Sequence, residues 1–136
     1  MKPGEIELHI SEEIDIVKAV FEAKDISQSA GFSKNEQFMV SIVASELARN
    51  IYKYAGKGVI SIALLNTGNR KGIEISAEDN GPGIDNTAKA LQDHFSTGNS
   101  LGLGLPGVKR IMDEFTITSA PGKGTKITTR KWGKNA

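Results

Sequence analysis

Ile73-Glu74-Ile75-Ser76-Ala77-Glu78-Asp79-Asn80-Gly81-Pro82-Gly83 begins as a strand and ends as a site. Ile73, Ile75 and Ala77 alternate with polar residues, the period of a strand buried on one face. The strand carries a carboxylate, Asp79, to its end and follows it with glycines that let backbone approach closely. A second cluster, Gly102-Leu103-Gly104-Leu105-Pro106-Gly107, opens an amphipathic stretch. Bare amides at a helix start stabilise anions. Together the two clusters point to a nucleotide site.

Upstream, Val59, Ile60, Ile62 and Leu64 form a second strand, joined to the first across Asn66-Thr67-Gly68-Asn69-Arg70-Lys71, whose composition is that of a hairpin turn. Antiparallel pairing follows. Ile6, Leu8 and Ile10 alternate with Glu5, Glu7 and His9 as a further strand, after which Ser11 begins a helix. Its apolar stripe is read as Ile14, Val17 and Phe21, extended by Ala23 or the stem of Lys24, and residues 27–31 are small and polar enough for a loop. Ser33 with Glu36 three residues later makes a capping box, so the next helix starts near Lys34. It runs to about Tyr54, with Gly56 or Gly58 as its stop.

Downstream, residues 80–100 hold three glycines, one proline and at most a short helix at 87–91. Loops of that length in a domain of this size are functional or mobile. Val108, Ile111, Met112 and Phe115 then share one helical face over 105–115, and strands at 116–120 and 125–132 flank Pro121-Gly122-Lys123-Gly124. The order strand, helix, helix, strand, strand, long loop, helix, strand, strand predicts an α+β fold, with helices segregated on one face of a mixed sheet.

A chain of 136 residues is one domain by length, 1–136, and buries a real core. Lys plus Arg number 17 against 16 Asp plus Glu, leaving a net charge of +1. That balance argues against electrostatically driven binding to nucleic acid or membrane. No cysteine is present, which excludes disulfides, thiolate metal sites and thiol nucleophiles. The beginning, Met1-Lys2-Pro3-Gly4-Glu5, has no apolar signal core, and no apolar run approaches a bilayer span. A soluble, cytoplasmic protein is expected.

The second helix has polar residues within an apolar row. Met39, Val43, Leu47 and Ile51 are spaced by four, and the neighbouring row is Phe38, Ile42, Glu46, Asn50 and Tyr54. Side chains four apart stack on one face, so Glu46 and Asn50 are expected to project together toward the sheet. Alternatively the row turns to solvent, or Glu46 pairs with Arg49 or Lys53. An amide oxygen suits Mg²⁺, which takes few protein ligands and completes its shell with phosphates and water. A neighbouring carboxylate can orient and deprotonate a hydroxyl or water attacking a terminal phosphate.

These residues also carry a resemblance. Glu46-Leu47-Ala48-Arg49-Asn50-Ile51-Tyr52-Lys53-Tyr54 resembles the N box of the GHKL ATPases (gyrase, Hsp90, histidine kinase, MutL), 79–83 their first glycine box, 102–107 their second and Pro121-Gly122-Lys123-Gly124-Thr125 their final GxGT element. The resemblance spans most of the chain, in the family's order. It implies the Bergerat two-layer α/β sandwich, a mixed and mostly antiparallel sheet covered on one face by helices, with Mg·ATP between the layers. It further implies Asn50 as the magnesium ligand, Asp79 as acceptor from the adenine amino group and Thr125 closing the adenine pocket. Gly81, Gly83 and Ile84 would line the base, and Gly102, Leu103, Gly104 and Leu105 would place amides near the phosphates. The segment 84–100 corresponds to the ATP lid, with Ser96, Thr97 and Gly98 as phosphate contacts, and Lys53 is a further candidate there. His94, within that segment, reads as an exposed polar residue.

Length sorts the branches of this family. A lone catalytic module has no room for the dimerisation or coupling domains of the larger members and must act on an outside partner. In detail the chain is similar to the switch-protein serine kinases of the RsbT type, at 46–58, 98–115 and 128–132. That resemblance implies a serine/threonine kinase, with Glu46 as catalytic base, acting on a STAS-domain antagonist (RsbS/RsbR-like) of the stressosome kind and released to an output enzyme such as a phosphatase. The alternatives are an anti-sigma factor of the RsbW and SpoIIAB kind, or a pseudo-kinase that binds without transfer.

Overall fold

The computed structural model describes residues 4–83 and 104–133. In chain order these form β1 (Glu5–Ile10), α1 (Glu13–Ser29), α2 (Lys34–Asn50), a π turn (Ile51–Ala55), β2 (Gly58–Asn66), β3 (Lys71–Asp79), α3 (Gly104–Ile111), β4 (Glu114–Ser119) and β5 (Thr125–Trp132). The sheet order is β1-β2-β3-β5-β4, and all four pairings are antiparallel. Helices segregated on one face of the sheet are what the order of patterns led one to expect, and the mixed, mostly antiparallel sheet that the resemblance implied is antiparallel at each described pairing.

Local chemistry sets the boundaries. The Glu36 amide donates to Ser33 Oγ at 3.1 Å, and the Ser33 amide donates to Glu36 Oε1 at 2.9 Å, so the capping box starts α2 at Lys34. Asp15 does the same service for α1, accepting the amides of Ser11 and Glu12. The β2–β3 hairpin closes with Asn66 opposite Lys71, and Gly68 takes a positive φ in the turn. The second helix does not run on to Tyr54 in α form. It widens after Asn50 into the π turn, closed by the Gly56 amide donating to the Ile51 carbonyl at 2.9 Å. Single π turns of this kind frequently sit at functional positions.

The core lies between the helices and one face of the sheet. Ile60, Ile62, Ile73 and Ile75 meet Val40, Val43, Ala44, Leu47 and Ile51 there, each no more than 1% exposed. Two expectations are corrected. The buried row of α1 is Ile16, Ala19, Ala23 and Ser27, whereas Ile14, Val17 and Phe21 are 53%, 45% and 64% exposed. Small residues let the helix axis lie close against α2 and β2, and the bulky stripe is left outside. Phe115 belongs to β4, where it shares a face with Ile117, because the helix ends at Ile111 and the Asp113 amide already donates to the Arg130 carbonyl of the next ladder.

On the face away from the helices, Glu74, Arg130 and Glu114 lie in one cross-strand row, with Arg130 Nε 2.8 Å from Glu74 Oε2. Among the described residues no helix is long and apolar enough to cross a membrane.

Candidate functional site

The register brings one row across the five strands at the end of the sheet: Ile10, Gly58, Asp79, Thr125 and Ser119. Alternation puts this row on the helix side, in phase with Ala77 and Ile127, which are buried there. Asp79 is half-buried, and its Oδ1 accepts the Gly81 amide at 2.9 Å. That bond fixes the carboxylate over the turn. Oδ2 takes no hydrogen bond from a described residue.

Close backbone approach builds the rest of this end. A Cβ on Gly81 would come within 2.6 Å of the Ala55 Cβ, and one on Gly58 within 2.8 Å of Ile51 Cγ2 and 3.1 Å of Asp79 Cβ. The π turn therefore lies directly on the Asp79 turn, and Asn50, the residue before it, is held to the same end of the molecule. A Cβ on Gly124 would run into the Asp79 carbonyl, and the Gly122 amide donates to the Pro82 carbonyl at 2.8 Å. The β4–β5 turn thus clasps the 79–83 turn. Thr125 is half-buried beside Asp79, and its hydroxyl lies 2.8 Å from that of Ser119.

Glu46 is 4% exposed and does not turn to solvent, although Phe38 and Tyr54 at the ends of its row are 62% and 46% exposed. Its carboxyl faces α3, where the Gly104 amide hydrogen-bonds to it. Burial raises its pKa above the usual glutamate value, and the Arg49 charge and the Gly104 amide pull in the opposite direction. Leu105, next along α3, is 7% exposed and belongs to the core. Asn50 is half-buried on a cavity of about 730 Å³ between α1 and the π turn, which Ile14, Val17, Arg49, Lys53 and Tyr54 also line. Lys53 is exposed, with Nζ 5.3 Å from the centre of the Tyr54 ring.

Three groupings result. Asp79, Gly81, Gly83 and Thr125 share the sheet end, Asn50 and Lys53 share the cavity, and Glu46 meets Gly104 between α2 and α3. The π turn joins the first two and the body of α2 joins the third. Ile84, Ser96, Thr97, Gly98, Gly102 and Leu103, with His94 and the segment 84–100, lie outside the described residues. Sequence reasoning overlooked Ser119. Its signal was the expected hairpin about residues 121–124, whose closure sets Ser119 opposite Thr125.

The described residues thus offer an amide on a cavity, a fixed carboxylate at a strand end and a buried glutamate against a helix start, and neither Asp79 nor Glu46 lines the cavity on which Asn50 sits. Among the described residues no cluster of three or more His, Asp or Glu could hold a metal alone.

Residues 35–133 match the family model of histidine kinase-, DNA gyrase B-, and HSP90-like ATPases. The serine/threonine-protein kinase RsbT of Bacillus subtilis (strain 168) is 47% identical over 125 residues, 92% of this chain and 94% of that one. The anti-sigma F factor of Thermoanaerobacter sp. (strain X514) is 34% identical over 99 residues, 68% of each chain. Among solved structures, the SiaB–SiaC complex from Pseudomonas aeruginosa has a chain superposing with a TM-score of 0.59 at 14% identity, over 94% of this chain and 88% of that one. At that identity the likeness is one of fold.

Proposed function

The chain belongs to the family of histidine kinase-, DNA gyrase B-, and HSP90-like ATPases, and from that premise we propose that it is an ATP-dependent serine/threonine protein kinase of the RsbT type, phosphorylating a STAS-domain protein in a partner-switching pathway. The observation that carries this reading is the 47% identity to a named serine/threonine kinase along nearly the whole of both chains. The anti-sigma relatives are less similar and match over a shorter span, which favours the kinase over sequestration of a sigma factor.

When bound, Mg·ATP supplies the transferable γ-phosphoryl group and a cation that offsets its charge. The chain's own residues do the placing. Asp79 accepts a hydrogen bond from the amino group of the base, with Thr125 beside it and Gly81 and Gly83 leaving room for the base to approach. Asn50 would offer its amide oxygen to the cation, and amides at the start of α3 other than that of Gly104, which Glu46 holds, would meet the phosphates. Glu46 holds the acceptor hydroxyl of the partner and takes its proton. Phosphoryl transfer requires mostly positioning and electrostatic stabilisation, so a small module with one base suffices.

Transfer of label from γ-labelled ATP to a purified STAS protein encoded beside this chain tests the reading. Label on a serine or threonine of that protein is expected. Capture of a sigma factor with no transfer would replace the kinase with the anti-sigma function.

A further inference from the structure

We propose that Ser119 sets the base specificity of the pocket by fixing the Thr125 hydroxyl as a hydrogen-bond acceptor. The inference rests on the reading of Asp79 and Thr125 as the base-binding pair. Ser119 Oγ lies 2.8 Å from the Gly124 carbonyl oxygen and 2.8 Å from Thr125 Oγ1. A carbonyl only accepts, so the single hydroxyl proton of Ser119 goes to Gly124. The proton between the two hydroxyls must then come from Thr125. The relay runs Thr125 to Ser119 to Gly124 and has one direction.

The consequence falls on the face that Thr125 shares with Asp79, opposite it in register. With its proton committed to Ser119, the Thr125 oxygen presents lone pairs alone, and the Asp79 carboxylate also only accepts. A purine bearing an amino group at its 6-position brings donors to this pair. A 6-oxopurine brings a carbonyl oxygen that meets acceptors on both sides and is left without a donor, a costly arrangement in a half-buried site. Asp79 alone would still leave Thr125 able to turn its proton to that oxygen. Ser119 removes the option.

Titration calorimetry with ATP and with inosine triphosphate, on wild type, Ser119→Ala and Ser119→Ala/Thr125→Val, tests the relay. Wild type is expected to favour ATP. Ser119→Ala should bind inosine triphosphate roughly fivefold more tightly, the size of one neutral hydrogen bond, with ATP affinity held within about twofold. Adding Thr125→Val should abolish the gain, and Ser119→Thr should restore the wild-type ratio. An unchanged ratio in Ser119→Ala, or an equal loss for both nucleotides, overturns the assignment of Ser119 while leaving the base pocket intact. Equal affinity of wild type for the two nucleotides overturns the base pocket itself.

Discussion

At the scale of single residues, Glu46 and Asp79 are the informative pair, because each is a carboxylate held by one backbone amide and each is asked to do something different. Glu46→Ala should keep ATP binding and lose phosphoryl transfer by about 100-fold or more, the contribution of a well-placed base, as measured by label transfer beside calorimetry. Normal transfer would move the base elsewhere. The burial that raises the Glu46 pKa also gives a stability signature of definite sign. A carboxyl whose folded pKa exceeds its unfolded value favours the folded state when protonated, and that contribution is lost as pH rises through the folded value. Glu46→Gln should therefore raise Tm at pH 7, the gain fading as pH falls through the raised folded value and gone below 4.5, the usual value of the group. A gain independent of pH would show that the carboxylate is not strained by burial. Asp79→Asn keeps the shape and exchanges one acceptor for a donor. ATP affinity should fall by about 10- to 100-fold while the circular dichroism spectrum is unchanged, since a hydrogen bond to a charged acceptor is worth roughly 1.5–3 kcal/mol.

Elements show where the chain declares itself and where it does not. The capping box at Ser33 and the Asn66 to Lys71 hairpin are local, with partners a few residues apart, and both were legible from the sequence. The first helix was not. Its apolar positions make two rows, and hydrophobicity alone favours Ile14, Val17 and Phe21 over Ile16, Ala19 and Ala23, yet the smaller set faces inward. Alanines mark the side on which a helix can come closest, information that periodicity discards. The π turn was hidden for a related reason: Ile51–Ala55 reads as ordinary helix, and its widening depends on packing over Gly58 and Gly81. In the site, the glycines and the Glu46/Asn50 spacing were readable as a motif, whereas Ser119 acquires its role only from cross-strand register. The corrected face of α1 is testable. Phe21→Ser should change unfolding free energy by no more than about 0.5 kcal/mol, as at other exposed positions. Ala19→Leu should cost about 1–3 kcal/mol by overpacking against α2 and β2, read from denaturant midpoints.

For the whole molecule the question is how turns far apart in sequence hold one site together, and the clasp between 79–83 and the β4–β5 turn answers it. Gly83 has φ of +79°, and a Cβ there would run into the Ala120 carbonyl oxygen, while one on Gly124 meets the Asp79 carbonyl in the same way. Both obstacles are backbone, so no rotamer change relieves them. Gly122, in the same β4–β5 turn, has φ of +75° with nothing within 4 Å of the Cβ position. The two glycines thus share a conformation and differ in crowding. Gly122→Ala should cost only the conformational penalty of roughly 1–2 kcal/mol and leave nucleotide affinity within about twofold. Gly83→Ala carries that penalty plus separation of the two turns. It should destabilise more than Gly122→Ala and weaken ATP binding by at least about tenfold, because the Asp79 turn moves with the backbone it rests on. Thermal unfolding and calorimetry on the two variants decide the matter. Equal losses in both would mean that left-handed backbone alone matters here and that the β4–β5 turn does not position Asp79. A selective loss in Gly83→Ala makes the clasp the means by which the C-terminal hairpin holds the end of β3 in place.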